Sequence, residues 1–283
     1  MKVRFLLISI LLIPLTLWAN QKDEFYELKF LVYNTHGLPG IFLRDKPDIR
    51  FPEIGKKTQE YQISLLQEDY SHHELLSENL NENSLSFRGR LNDQLICPFC
   101  TGSGLTTISN LSDKWKIEVV NETFETCSGW FLGLNDCFAY KGFQLIKITT
   151  PNKKNFYVLN THMDAGSRNS DRSARKKQIE HVVTTLNKKI LNEALILVGD
   201  LNLNSKNNED RKLFEKMKVD LDLKDSFENI QRSKKWPTLD YILYRTGKKI
   251  NLNVLEVGED KTFVNKQGPL SDHPALFIKV SIL

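Results

Sequence analysis

Eight polar residues stand at the ends of short apolar runs: Asn34, Glu68, His162, Asp200, Asn202, Asp240, Asp272 and His273. Rigid strands that end in functional side chains are how an α/β scaffold builds a site. The residue types are acids, amides and imidazoles. Oxygen donors of this kind suit a hard divalent cation such as magnesium, which keeps several waters and needs only one or two carboxylates. Asp200-Leu201-Asn202 sets two oxygen-bearing side chains on one side of an extended segment, because residues two apart face alike. His273 lies between Asp272 and Pro274. It is a candidate to exchange a proton with water near neutral pH if a carboxylate such as Asp240 orients it. His162 is a candidate to donate to oxygens that gain charge when a phosphate ester is attacked. An acid at a strand end taken singly is what any turn carries, so recurrence makes the case. His36, His72, His73 and His181 lack such a setting, and His181 falls on a helix face.

The elements that must position these groups are legible as periodicity. Apolar runs at 28–33, 63–66, 105–108, 115–120, 143–148, 155–160, 194–198, 239–244 and 275–280 predict strands. A proline near the start and an acid in the first turn predict a helix over 52–62. Ala174, Ile179, Val182, Val183, Leu186 and Ile190 share a face of a helix over 171–191, capped by Ser170 or Asp171. Strands alternating with helices early, and paired strands later, predict a layered α/β sandwich with mixed sheets. A doubly wound parallel fold is disfavoured, since no glycine-rich phosphate loop follows the first strand.

The chain starts Met1-Lys2-Val3-Arg4 and is then almost wholly apolar to Leu17, followed by Trp18-Ala19-Asn20. About 13 apolar residues fall short of the ~20 that span a bilayer, so residues 1–19 are expected to be a signal peptide cleaved after Ala19. Residues 20–283 then form a single domain. The formal charge is +4, and about +2 once Lys2 and Arg4 leave, too weak to argue for nucleic acid or an anionic membrane. Cys97, Cys100, Cys127 and Cys137 are an even set in an exported chain and predict two disulfides. Three connectivities are open, of which Cys97–Cys100 with Cys127–Cys137 is favoured. Thr101-Gly102-Ser103-Gly104 after Cys100 replaces the helix that a thioredoxin-type redox motif needs.

Taken in order, Tyr33-Asn34, Leu66-Gln67-Glu68, Gly102-Ser103-Gly104-Leu105, Asn160-Thr161-His162, Gly199-Asp200-Leu201-Asn202, Leu239-Asp240-Tyr241 and Ser271-Asp272-His273-Pro274 resemble the endonuclease/exonuclease/phosphatase superfamily. The resemblance covers essentially all of 20–283. It implies a four-layer α/β sandwich with two mixed β-sheets packed face to face and helices outside. It also implies metal-dependent hydrolysis of a phosphate ester, usually with Mg2+, with Mn2+ or a second divalent ion as the variants. Matched by motif, Glu68 is the principal metal ligand, with Asn34 and Asp272 near the same site. Asp200 and Asn202 position phosphate and the attacking water or a second metal, His273 oriented by Asp240 is the base, and His162 contacts phosphate. Cys127-Ser128-Gly129-Trp130 and Asp136-Cys137-Phe138-Ala139-Tyr140-Lys141-Gly142 are similar to the disulfide region of secreted bacterial sphingomyelinases. A phospholipid headgroup is therefore the expected substrate. Nucleic acid, favoured only by Lys176-Lys177, Lys234-Lys235 and Lys248-Lys249, and an inositol or sugar phosphate are the alternatives. A silent binding module is disfavoured because no core residue is missing. In place of the aromatic-tipped hairpin of haemolytic relatives, 245–270 carries only Phe263 among lysines. A monomer with no stable membrane insertion, secreted or periplasmic, is expected.

Overall fold

The computed structural model describes residues 25–37, 46–91, 102–129, 136–228 and 239–283. The signal segment, Cys97, Cys100 and Lys234-Lys235 lie outside these residues. In chain order the strands are β1 (Tyr26–Asn34), β2 (Ile63–Gln67), β3 (Leu85–Arg88), β4 (Thr106–Ser109), β5 (Lys116–Thr123), β6 (Gly142–Thr149) and β7 (Asn155–His162). They continue as β8 (Leu195–Asp200), β9 (Lys224–Asp225), β10 (Asp240–Arg245), β11 (Leu252–Glu259), β12 (Val264–Asn265), β13 (Gly268–Pro269) and β14 (Leu276–Ile282). The helices are α1 (Pro47–Thr58), α2 (His73–Ser77), α3 (Asn169–Lys189) and α4 (Asn208–Leu221).

Side-chain alternation along the strands decides the layering. In β1, Leu28, Phe30 and Val32 point into a core shared with Ile146, Val158, Ile196 and Ile242 of a second sheet. The intervening Leu31 and Tyr33 face Phe51 and Ile54 of α1. In β8, Ile196 and Val198 join the shared core while Leu195 and Leu197 meet Ile179, Val182 and Met217 of α3 and α4. Two six-stranded sheets, ordered β11-β14-β1-β2-β4-β3 and β5-β6-β7-β8-β10-β9, therefore pack face to face with helices outside. Each is mixed: β1 and β2 run parallel, as do β7 and β8, and the remaining pairs are antiparallel. This is the four-layer sandwich expected from the motifs.

Helix ends differ from expectation for identifiable reasons. α1 begins at Pro47, where a missing N–H costs nothing. It stops at Thr58, so that Tyr61 enters the core and Gln62 bonds the backbone of Lys29. In α3 Asp171 is not the cap but the third helical residue, and its Oδ2 accepts from the backbone N–H of Arg168 at 2.8 Å. α4 went unread although its signal was present. Asn207 Oδ1 accepts from the N–H groups of Glu209 and Asp210, an acidic first turn follows, and Phe214, Met217 and Leu221 repeat at helical spacing. β11 was also missed, since it is an edge strand with a register shift between Val254 and Glu256. Arg245, buried at the end of β10, donates to the carbonyls of Ile190, Glu193 and Leu221. One guanidinium thus satisfies carbonyls at the C-terminal ends of α3 and α4 that no helical N–H can reach.

Phe263 requires a correction. It is not an exposed loop residue: it is 4% exposed and packs edge-on to Tyr33, 4.9 Å between centroids. The loop before β12 folds inward, and the hairpin tip that follows is polar, Asn265-Lys266-Gln267. Phe263→Ala is expected to lower stability by about 3–5 kcal/mol in urea denaturation. A loss under about 1 kcal/mol would contradict this packing.

Candidate active site

The rows of side chains facing the shared core change character at one end of the sandwich. Leu28, Phe30 and Val32 are followed in the same row by Asn34; Ile63 and Leu65 by Gln67; Phe156 and Val158 by Asn160 and His162; Ile196 and Val198 by Asp200; and Ile242 is preceded by Asp240. Apolar packing therefore gives way to a buried polar layer without any change of strand. Gln67 Nε2 donates to Asn160 Oδ1 at 2.7 Å, Thr107 Oγ1 to Gln144 Oε1 at 2.8 Å, and Asn160 Nδ2 to the Leu66 carbonyl at 3.1 Å. These bonds join the sheets directly. The strands also come close: a Cβ on Gly199, whose φ is +129°, would meet the Thr161 carbonyl oxygen at 1.9 Å.

Asn34 Nδ2 donates both to Glu68 Oε1 (3.2 Å) and to Asp200 Oδ2 (3.1 Å), while its Oδ1 accepts from the backbone N–H of His36. One amide thus holds two carboxylates from opposite sheets beside each other. His162 Nε2 lies 3.6 Å from Glu68 Oε1 and 3.8 Å from Asp200 Oδ2. These are not ion pairs. Burial first, then the positive charges of Lys141 and His273, hold the imidazole well below its usual range, so it is neutral. Burial likewise raises the Asp200 carboxyl, opposed by His273. Asp200 Oδ1 accepts from the N–H of Asn202, and Asn202 Nδ2 donates to the Met163 carbonyl.

His273 Nδ1 and Asp240 Oδ2 are 2.8 Å apart, and His273 Nε2 is 3.9 Å from Asp200 Oδ2. Burial opposes the imidazolium, but Asp240, Asp200 and Asp272 together push its pKa up to about 10. Asp272 sits at the exposed rim, where its Oδ1 meets His36 Nδ1 at 2.9 Å. That hydrogen bond raises the His36 pKa. The Asp272 carboxyl, which burial alone would raise, is held down by His36. His36 was assigned no setting from sequence, and the structure corrects this: its φ of +51° turns it toward Asp272. Non-glycine residues at positive φ cluster here, namely His36, Glu68, Tyr70 and Asn202, the kind of strain that persists where a fold over-determines a site.

Lys141 was missed as a site residue. Buried at the start of β6, its Nζ contacts Asp136 Oδ1 (2.6 Å), the Met163 carbonyl (2.9 Å) and His162 Nε2 (3.1 Å). An ammonium has no acceptor, so Nε2 of His162 accepts and its proton sits on Nδ1. Cys127 and Cys137 are bridged, which brings Asp136 to Lys141 and the N–H of Ser128 to Asp164 Oδ2 at 2.6 Å. Only the motif Asp-Cys-Phe-Ala-Tyr-Lys-Gly marked this lysine in the sequence.

Among the described residues two donor sets could hold a cation. Asp200, Asp240 and His273 offer atoms within 4.8 Å of one another, but His273 and Asp240 already bond each other. Glu68 differs: its Oε2 is buried without a hydrogen-bond partner. A carboxylate oxygen in that state fits a hard cation.

The model of Endonuclease/Exonuclease/phosphatase family 2 matches residues 111–238. The sphingomyelinase of Mycobacterium tuberculosis is 24% identical over 268 residues, covering 87% of this chain and 51% of the relative. The chain thus spans about half the length of the curated relatives it matches. Among solved structures, a mutant of beta toxin from Staphylococcus aureus with bound magnesium ions superposes with a TM-score of 0.64 at 18% identity, over 89% of this chain and 99% of that one. D. rerio TDP2 complexed with single-strand DNA product gives 0.66 at 16% identity, over 90% and 98%. The fold and the family model agree with the resemblance to the endonuclease/exonuclease/phosphatase superfamily, and the chain is similar to sphingomyelinases.

Removing the Cys127–Cys137 bridge by Cys127→Ser with Cys137→Ser is expected to lower stability by about 2–3 kcal/mol and to weaken the site through Lys141. Free thiols at both positions in the native protein, read by peptide mapping without reductant, would contradict the bridge.

Proposed function

We propose that this protein is an exported, divalent-metal-dependent phosphodiesterase of sphingomyelinase-like character, with residues 20–283 as its catalytic domain. The observation that carries the reading is the meeting, across two sheets, of Glu68, Asn34, Asp200 and His162 beside an acid-oriented imidazole. Glu68 would hold the cation, as its unpartnered oxygen fits, with Asn34 and Asp272 nearby and Asp200 and Asn202 available to a second ion. A bound magnesium or manganese ion would polarise a phosphoryl oxygen and offset charge developing there. Asp240 fixes the His273 ring so that Nε2 faces Asp200. With its pKa pushed up to about 10 the ring is an imidazolium at neutral pH that can donate to an anionic phosphate oxygen, and it takes a proton from water only after giving up its own. The buried Lys141, bonded to the His162 Nε2 that faces Glu68 and Asp200, supplies positive potential to an anionic oxygen there.

A phospholipid headgroup is favoured as substrate by the bridged Asp136–Lys141 region and by the sphingomyelinase relatives. The bridge also favours export, since disulfides persist in oxidising compartments. Among the described residues no helix is long and apolar enough to cross a membrane, and the polar β12–β13 tip supports action without deep insertion. The likeness to TDP2 with a DNA product supports a second reading, a nucleic acid phosphodiester.

Purified protein should hydrolyse sphingomyelin in preference to phosphatidylcholine, DNA, RNA and inositol phosphates. Activity should vanish with excess chelator, return with magnesium, and be lost in Glu68→Gln. Full activity in chelator would sink the metal-dependent reading, and hydrolysis of DNA alone would select the second. His273→Ala should lower turnover about 10²–10⁴-fold and Asp240→Asn less, with the fold confirmed by circular dichroism. Near-normal turnover in folded His273→Ala would exclude its role as base or phosphate contact.

A further inference from the structure

Glu68 is followed by a second carboxylate that the reaction does not use. Asp69 is 1% exposed. Its Oδ2 meets His73 Nδ1 at 2.6 Å and accepts from Thr106 Oγ1, and its backbone N–H donates to the Gly104 carbonyl at 3.1 Å. Thr106 Oγ1 also lies 3.2 Å from His73 Nδ1, closing a three-residue cluster. The carboxylate is thereby fastened to α2 on one side and to β4 on the other. Its Oδ1 remains buried without a partner. A buried carboxylate with one unpaired oxygen is costly even when the other is bonded, so folding stability alone is a poor reason for an acid here.

The two neighbours of Asp69 explain its place. Glu68 has a φ of +59° and Tyr70 of +30°, both in the region that side-chain-bearing residues rarely adopt. The turn is pressed from both sides: the Glu68 carbonyl accepts from the Gly37 N–H at 2.8 Å, and a Cβ on Gly104 would stand 2.7 Å from the Tyr70 ring and 3.1 Å from the Glu68 Cα. A left-handed residue flanked by a second strained one keeps its conformation only while something over-determines the segment. Asp69 is the residue between them and the one with fixed side-chain bonds to two other elements. Without it the turn can relax toward ordinary φ values and swing the Glu68 carboxylate away from Asn34 and Asp200.

We infer that the Asp69–His73–Thr106 cluster is a positioning device that holds Glu68 in its left-handed turn, with its carboxylate aimed at the cation site. Asp69 is a positioning residue and not a catalytic one. The inference rests on Glu68 being a cation ligand. Outer residues that orient metal ligands typically change affinity by about 10–100-fold when replaced. The field of a second buried carboxylate adds attraction for a divalent cation.

The test is binding of Mn2+ alone, followed by electron paramagnetic resonance and by calorimetry with Mg2+, on the full chain without substrate. Asp69→Asn keeps the size and an acceptor for Thr106 but loses the charged partner of His73, and should weaken binding about 10–100-fold. Thr106→Val should weaken it several-fold, and Thr106→Ser, which restores the hydroxyl, should bind like the unaltered protein. Circular dichroism and thermal unfolding identify any variant that fails to fold, in which case the Thr106 pair, nearly isosteric, decides. Unchanged affinity in folded Asp69→Asn and Thr106→Val, with binding abolished in Glu68→Gln, would overturn the positioning role and leave the metal reading intact. No binding to the unaltered protein would overturn the metal reading itself.

Discussion

Asn34 reaches across the sandwich from β1 and donates at once to Glu68, beyond β2, and to Asp200, at the end of β8. Two carboxylates from different sheets repel each other when ionised. Bringing them together in a dry interior requires donors placed between and around them. The amide is one, and the N–H of Asn202 on Asp200 is another. The fold serves this constraint. Face-to-face packing brings the ends of β1, β2, β7 and β8 to one place, and the amide ladder of Gln67, Asn160 and Gln144 locks the sheets just beneath.

Positive charge lies beside the metal-type donors, since Lys141 bonds the same His162 nitrogen that stands 3.6 Å from Glu68 Oε1. Lys141 is delivered by β6 and oriented by Asp136, whose own position depends on the Cys127–Cys137 bridge. Its ammonium fixes His162 as a neutral ring of one tautomer. The two imidazoles of the site are thus set to opposite states by their neighbours: His273, amid three carboxylates, is driven toward the charged form. The same scaffold carries different substrates in its relatives.

Much of this was legible in the sequence where local pattern and chemistry coincide. Asn34, His162 and Asp200, each the last residue of its strand, could be named because alternation predicts both the strand and the face of that residue, and Glu68 and Asp240 because one follows a strand and the other opens one. The layered architecture followed from the order of elements. What stayed hidden depends on tertiary contact or on rare backbone conformations. His36 gains its meaning from Asp272, more than two hundred residues away along the chain. Asp69 drew no reading from the sequence because the strain on either side of it has no sequence signature. Phe263, set among lysines, read as exposed because charged neighbours dominate a local window; its burial depends on Tyr33 and Tyr61. α4 is a different case, a missed cap and not a hidden interaction.

The central claim is that Glu68, and not the tighter cluster of Asp200, Asp240 and His273, is where a divalent cation is held. Crystals grown with Mn2+ and measured at an energy where manganese scatters anomalously test it directly. An anomalous peak within about 2.0–2.3 Å of a Glu68 carboxylate oxygen is expected, the ordinary range for a hard cation and oxygen, with the His273–Asp240 hydrogen bond intact. A sole peak between Asp200, Asp240 and the His273 ring, with Glu68 unliganded, would contradict it.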